Sequence, residues 1–158
     1  MLYSVWLGFA STMILIASDH AEVGGSIIKA RALWNAWRIS NYEFSYRNVI
    51  PLRIVVRDGV VTSATLWCWP SGTESDCQKW RKLWPKASDP EWLRGRALTI
   101  PQLFDRIEQA YSGNVPGTVI ELEVDATYGY PVYYSFDITT AFDDEDYLWI
   151  SEFSWSSP

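Results

Sequence analysis

Two segments with helical periodicity are each followed by three segments in which apolar and polar residues alternate. A period near 3.6 residues places apolar side chains on one face of a helix, whereas a period of two places them on one face of a strand. The predicted elements are helices at 26–39 and 99–112 and strands at 42–47, 52–57, 60–67, 118–125, 132–139 and 147–155. The predicted order is therefore α-β-β-β-α-β-β-β, which suggests one unit used twice.

Short connections between the strands restrict how they can pair. Neighbouring strands joined by tight turns, such as Asp58-Gly59, must run antiparallel. A sheet with alternating patterning buries one face, and the two amphipathic helices can cover that face. We therefore predict a single α+β domain at 26–156 with one antiparallel sheet and helices packed on one face.

A long insertion at 68–98 separates the two halves, and it is rich in tryptophan. Trp69, Trp80, Trp84 and Trp92 lie in it, interleaved with lysine and arginine. A structureless loop of this length is unusual in a compact domain, so we expect short helices capped by Asp76 and Asp89.

The chain has 10 Trp, which is more than one small core requires. We assign Trp34, Trp37, Trp149 and Trp155 to the core. Three interpretations remain open for the insertion: a flap covering one face of the sheet, a protein-binding surface, or a surface that stacks on sugar rings. The candidate binding residues are Trp69, Trp80, Trp84, Trp92 and Tyr130.

The two cysteines, Cys68 and Cys77, enclose a polar, turn-rich loop. In an oxidising compartment this pair would form a disulfide that closes the loop. Two free thiols in a cytosolic protein are the alternative. The spacing is not that of a zinc pair.

The N-terminal segment at 1–18 resembles a targeting sequence. Its sixteen residues from Leu2 to Ala17 carry no charge, which fits a signal-peptide core better than a full membrane span of about 20 residues. We expect a signal peptide or an uncleaved anchor, and hence an exported protein that contacts a membrane only through this segment. A buried N-terminal helix is the alternative.

Several function classes conflict with the composition. A net charge of −6 is unfavourable for binding nucleic acid. The only histidine, His20, lies at the end of the leader, so catalysis by a nucleophile and an imidazole base is not expected. No phosphate-binding glycine loop is present. Composition alone leaves a two-carboxylate glycosidase open, but Glu121 and Glu123 fit the solvent face of a strand. We predict no enzyme activity and no cofactor.

An acidic run near the C-terminus is the best metal candidate. Asp143, Asp144 and Asp146 offer the oxygen ligands that calcium prefers. The run lacks the alternating ligands and central glycine of a calcium loop, however. We expect a solvated hairpin tip and no bound metal.

A group of motifs resembles a known family. They are Trp37 before Tyr42, the Val-Arg-Asp58-Gly59 turn, Thr99-Ile-x-x-Leu103-Phe104-x-x-Ile107, Gly129-Tyr130-Pro131 with Asp137, and Asp143-Asp144-Glu145 before a strand ending in Phe153. They are similar to a family of small exported bacterial proteins known only as a domain of unknown function. The resemblance implies an α+β fold and a cell-envelope or secreted setting, with no activity attached. The element order also resembles that of small secreted inhibitor domains, which bind a partner with a concave aromatic sheet.

Together these patterns predict an exported, monomeric and non-catalytic domain. We expect it to bind a protein partner through an aromatic surface. A carbohydrate-binding module for glycan or peptidoglycan is the alternative.

Overall fold

The computed structural model describes residues 20–112, 119–137 and 146–156. The first half contains α1 (His20–Trp37), β1 (Tyr42–Arg47), β2 (Leu52–Arg57) and β3 (Val60–Leu66). The insertion contains α2 (Glu74–Leu83), a 3-10 helix (Pro85–Ser88) and α3 (Pro90–Arg94). The second half contains α4 (Ile100–Ser112), β4 (Val119–Val124), β5 (Pro131–Asp137) and β6 (Asp146–Trp155). No helix in the described ranges is both long and apolar enough to cross a membrane.

The six strands form one antiparallel sheet in the order β3-β2-β1-β6-β5-β4. This confirms the predicted α+β class and the predicted element order. The halves are not equivalent in the sheet, because β1 lies at the centre while its counterpart β4 lies at an edge. Each half forms a three-stranded meander, and the two meanders join where the first and last strands pair with each other.

The core lies between the sheet and the helices α1 and α4. Tyr42, Phe44 and Tyr46 of β1 are buried on this face, as the period of two predicts. Trp34 of α1 meets Tyr42 edge to face, with ring centroids 5.3 Å apart. The two helices are also linked on their outer side, where Arg31 pairs with Asp105 and Glu108.

The start of α4 shows how local sequence positions a helix on the sheet. Thr99 and Gln102 form a capping box: the Thr99 N–H donates to Gln102 Oε1 (2.8 Å), and the Gln102 N–H donates to Thr99 Oγ1 (3.4 Å). The Ile100 N–H donates to the buried hydroxyl of Tyr42 (3.0 Å). Burial raises the pKa of Tyr42 to about 12.

The insertion is helical, but its first helix begins earlier than predicted. Thr73, not Asp76, is the N-cap of α2, and its side chain accepts the Asp76 N–H. Thr73 and Asp76 are both suitable N-caps and lie three residues apart. Thr73 caps the helix, and the Asp76 carboxylate instead accepts the Ser71 N–H in the preceding loop. The prediction for Asp89 is confirmed, because its carboxylate accepts the Glu91 N–H (2.9 Å) ahead of Pro90.

Candidate functional site

The sheet face opposite α1 and α4 carries an aromatic centre. Its middle is a row of three opposed residues on neighbouring strands: Arg47 of β1, Trp149 of β6 and Tyr133 of β5. We call this surface, centred on Arg47, Trp149 and Tyr133, the open face. Trp149 is 47% exposed although it lies in one of the two central strands.

The assignment of Trp149 to the core was therefore wrong. Its neighbours Leu148 and Ile150 point to the helices and are buried, so alternation turns Trp149 to the open face. Trp37 and Trp155 are also partly exposed, at 45% and 37%, whereas Trp34 is buried as predicted. Trp37 donates its indole N–H to the carbonyl of Thr127 (2.8 Å), in the turn between β4 and β5.

Arg47 connects the open face to the insertion. Its guanidinium carbon lies 4.0 Å from the centroid of the Trp69 ring and 6.0 Å from that of Tyr147. Within the described residues, the buried Arg47 Nε and Ser151 Oγ have no hydrogen-bond partner. The open face thus combines aromatic rings with polar groups whose bonding capacity is not used up.

A polar network lies beside the aromatic centre. Ser45 donates to Glu152 (2.9 Å), and Arg53 pairs with both Glu43 (3.2 Å) and Glu152 (3.7 Å). Glu152 has a positive φ of 53° where the register between β1 and β6 shifts, which turns its side chain to this network. The open face therefore has an aromatic middle and a charged border of both signs.

The disulfide and its loop hold Trp69 in position. Cys68 and Cys77 are bonded, as the sequence predicts. Inside the loop, the buried carboxylate of Asp76 accepts the Ser71 N–H (3.1 Å) and the Thr73 hydroxyl (3.2 Å). Hydrogen bonds from Ser71 and Thr73 lower the pKa of Asp76 to about 2.

The five predicted binding residues occupy different parts of the molecule. Trp80 is half-buried and donates its indole N–H to the Trp69 carbonyl (3.2 Å), so it holds the backbone of Trp69. Trp92 packs on the core, and the guanidinium carbon of Arg96 lies 3.7 Å from the centroid of its ring. Trp84, 36% exposed, lines a cavity at the β1–β2 hairpin. Among the five, only Trp69 and Trp80 are joined by a side-chain hydrogen bond, and the Trp84 N–H donates to the Trp80 carbonyl (2.8 Å).

Tyr130 lies at the other end of the sheet, within an aromatic cluster. It stacks on Phe153 with ring centroids 4.3 Å apart, and burial raises its pKa to about 12. The preceding Gly129 has a φ of 81° and lies against the backbone of α1. Gly129 and Tyr130 thus pack the turn before β5 against α1 and β6.

Two further predictions fall outside what the structure describes. The segment 1–18 is one of them. The candidate metal ligands are the other: Asp143 and Asp144 lie outside the described residues, as does the side chain of Asp146. Among the side chains that are described, no group of three His, Cys, Asp or Glu could hold a metal ion.

The open face was missed by sequence reasoning because it depends on pairing between distant strands. Arg47, Tyr133 and Trp149 each follow the period of two, but nothing local indicates that they share a row. The one available signal is the aromatic or apolar composition of β6 on both faces, which is typical of a central or covered strand.

Comparison with known proteins identifies the family but no characterised relative. No curated protein and no solved structure matches the chain significantly. A family profile matches residues 26–155, a range that contains every strand and most of α1. This agrees with the resemblance to an uncharacterised family. The chain belongs to DUF6174, a family of unknown function.

Proposed function

We propose that the protein is an exported, non-catalytic domain that binds a protein partner through the open face. The observation that carries the proposal is the 47% exposure of Trp149 in a central strand, between Arg47 and Tyr133. Tryptophan, tyrosine and arginine are the residues most enriched in the energetic centres of protein interfaces. A soluble sheet ordinarily places polar side chains at such positions.

The exposed area is large enough to contribute to binding. Covering the exposed half of Trp149 would remove on the order of 100 Å² of apolar surface from water, worth about 2–3 kcal/mol. Arg47 is already stacked on Trp69, so less side-chain entropy is lost on binding. The centre of the open face is thus partly preorganised.

The border of the open face favours a protein over a glycan. Glu43, Arg53 and Glu152 place charges of both signs beside the aromatic middle, as in the polar rim of a protein interface. The disulfide between Cys68 and Cys77 supports an oxidising, exported setting.

The test compares Trp149→Ala with Trp37→Ala, since the two side chains are almost equally exposed on different parts of the molecule. The disulfide-bonded protein is used to capture partners from the envelope and secreted fractions of its own organism, followed by quantitative mass spectrometry. We expect a protein that is captured by the wild type and by Trp37→Ala but lost with Trp149→Ala. The purified pair should then bind directly with the same dependence.

Two outcomes would contradict the proposal. Capture that does not change with Trp149→Ala would remove the open face from the interaction. Binding to purified peptidoglycan or polysaccharide that Trp149→Ala abolishes, with no protein captured, would favour the carbohydrate-binding alternative.

A further inference from the structure

The open face carries a row of four opposed residues whose two ends have opposite charge. Arg47 lies opposite Trp149, Trp149 lies opposite Tyr133, and Tyr133 lies opposite Glu123. We call these four residues the charged row. It crosses the strands β1, β6, β5 and β4, which are neighbours in that order. Since paired strands lie about 4.8 Å apart, its two ends are about 14 Å apart at the backbone.

The positive end of the charged row is not neutralised by the described part of the chain. Four other arginines each pair with a carboxylate: Arg31, Arg53, Arg81 and Arg94. Arg47 makes no hydrogen bond or ion pair with any described residue. Its Nε is buried, whereas its two terminal nitrogens reach the solvent. Arg47 therefore presents unused N–H donors at the surface of the open face.

The insertion fixes the position of this guanidinium. The Arg47 guanidinium carbon lies 4.0 Å from the centroid of the Trp69 ring, and the Trp80 indole N–H holds the Trp69 carbonyl at 3.2 Å. A guanidinium on an aromatic ring has one flat face covered, and its N–H edge stays free. The terminal N–H groups of arginine form a planar fork that matches the two oxygens of a carboxylate. A carboxylate is thus the group that this end of the row fits.

The negative end of the charged row is also unpaired among the described residues. Glu123 makes no hydrogen bond or ion pair there, and the nearby Glu121 contacts only the Ser135 hydroxyl (3.5 Å). Residues 107–158 contain no lysine or arginine, so the second half of the chain cannot supply a cation. This end of the row fits a positively charged side chain.

We propose that the partner crosses the open face along the charged row, which rests on the proposed function of this face. The partner places a carboxylate on Arg47, an apolar side chain on Trp149 and a lysine or arginine beside Glu123. It runs across the strands, because the backbone groups of the central strands are already paired within the sheet. An extended segment fits this spacing, since four residue steps span about 13 Å and put alternate side chains on one face.

The probe is the synthetic peptide acetyl-Lys-Ser-Phe-Ser-Asp-amide, titrated into the full disulfide-bonded protein. Binding is followed by NMR through the indole N–H signals of the tryptophans. Two matched peptides carry asparagine in place of the aspartate or glutamine in place of the lysine. A fourth has one more serine before the aspartate, which turns the carboxylate to the other side of an extended chain. We expect the probe to bind at least tenfold more tightly than the asparagine peptide and the longer peptide, since a charged hydrogen bond is lost in each.

Variants assign each end of the peptide to its end of the row. With Arg47→Gln, the aspartate and asparagine peptides should bind equally, and with Glu123→Gln the lysine and glutamine peptides should bind equally. Arg38→Gln removes one positive charge from an exposed position after α1, the helix that covers the opposite face, and should leave the tenfold preference for aspartate unchanged. Arg47→Lys keeps the charge without the planar fork, and melting curves establish that each variant is folded.

Three results would overturn this proposal. One is the absence of a saturable shift at about 10 mM probe, where even millimolar affinity is visible. Another is a tenfold preference for aspartate that Arg47→Gln leaves intact or that Arg38→Gln abolishes. The third is equal binding of all four peptides to the wild type. If Trp149→Ala abolishes that equal binding, the open face remains a binding surface and only the charge pattern of its partner is refuted.

Discussion

Gly129→Ala tests the close approach between the turn before β5 and helix α1. Gly129 has a φ of 81°, a region that L residues with a Cβ rarely adopt. A Cβ at this position would overlap the Ala30 carbonyl oxygen and would lie 3.0 Å from both the Leu33 Cβ and the Trp34 nitrogen. Most of these atoms are backbone, so the overlap can be relieved only if the turn moves away from α1.

The expected loss has two parts. The positive φ alone costs alanine about 1–2 kcal/mol. Movement of the turn would also break the hydrogen bond from Trp37 Nε1 to the Thr127 carbonyl and separate the Trp37 and Tyr128 rings, now 5.2 Å apart. These contacts contribute about 1–2 kcal/mol together. We therefore expect Gly129→Ala to lower the free energy of unfolding by about 3 kcal/mol.

Urea unfolding followed by circular dichroism measures this loss, and two glycines serve as controls. Gly59 has a φ of 76° but open space around it, so Gly59→Ala should show only the conformational cost of about 1–2 kcal/mol. Gly25 lies in α1 with nothing within 4 Å, so Gly25→Ala should stabilise by about 0.5–1 kcal/mol. If Gly129→Ala costs no more than Gly59→Ala, the reasoning from close backbone contact is refuted.

Three further predictions concern stability. Trp34→Ala should cost about 3–5 kcal/mol because Trp34 is buried, whereas Trp149→Ala should cost under about 1 kcal/mol; similar urea midpoints for the two variants would contradict the assigned burial. The Asp76 carboxyl has a pKa of about 2 when folded and about 3.9 when unfolded, so its contribution is present above pH 4 and lost as the pH falls toward 2. The urea midpoint of Asp76→Asn should therefore fall less between pH 4 and pH 2 than that of the wild type. Equal falls in the two proteins would contradict this prediction. Replacing Cys68 and Cys77 by serine should lower the free energy of unfolding by about 2–3 kcal/mol, because the disulfide closes a loop between residues nine positions apart. Thermal melting measures this loss, and an unchanged melting temperature would mean that the disulfide does not stabilise the fold.

The elements of this fold were predictable because their signals are local. The Thr99 and Gln102 capping box lies within one helical turn, so four consecutive residues are enough to indicate it, and both of its hydrogen bonds form. Asp58 and Gly59 both have positive φ, of 51° and 76°, which is the two-residue hairpin turn that their sequence indicates. In each case the interacting groups are a few residues apart, so the rest of the fold is not needed to identify them.

The position of the open face was not predictable, because it depends on sheet order. The pairing of β1 with β6 places Arg47 opposite Trp149, and no local pattern indicates that the first and last strands are neighbours. Alternation in β6 shows that Leu148 and Trp149 face opposite sides, but not which side the helices cover. Aromatic residues on both faces of β6 are typical of a central or covered strand; β6 is central, but Trp149 on its open face is 47% exposed.

The insertion positions residues of the sheet, a role that its composition alone does not indicate. The disulfide at Cys68 and the Trp80 indole both act on the segment that holds Trp69, and Trp69 in turn holds Arg47. The same insertion supplies Trp84 to the cavity on the other side of the β1–β2 hairpin. Its tryptophans therefore contact both sides of the sheet: Trp69 contacts Arg47 on the open face, and Trp92 packs on the core. A side chain that is already held in one position loses less entropy on binding, and this supports the proposed role of Arg47 in the open face.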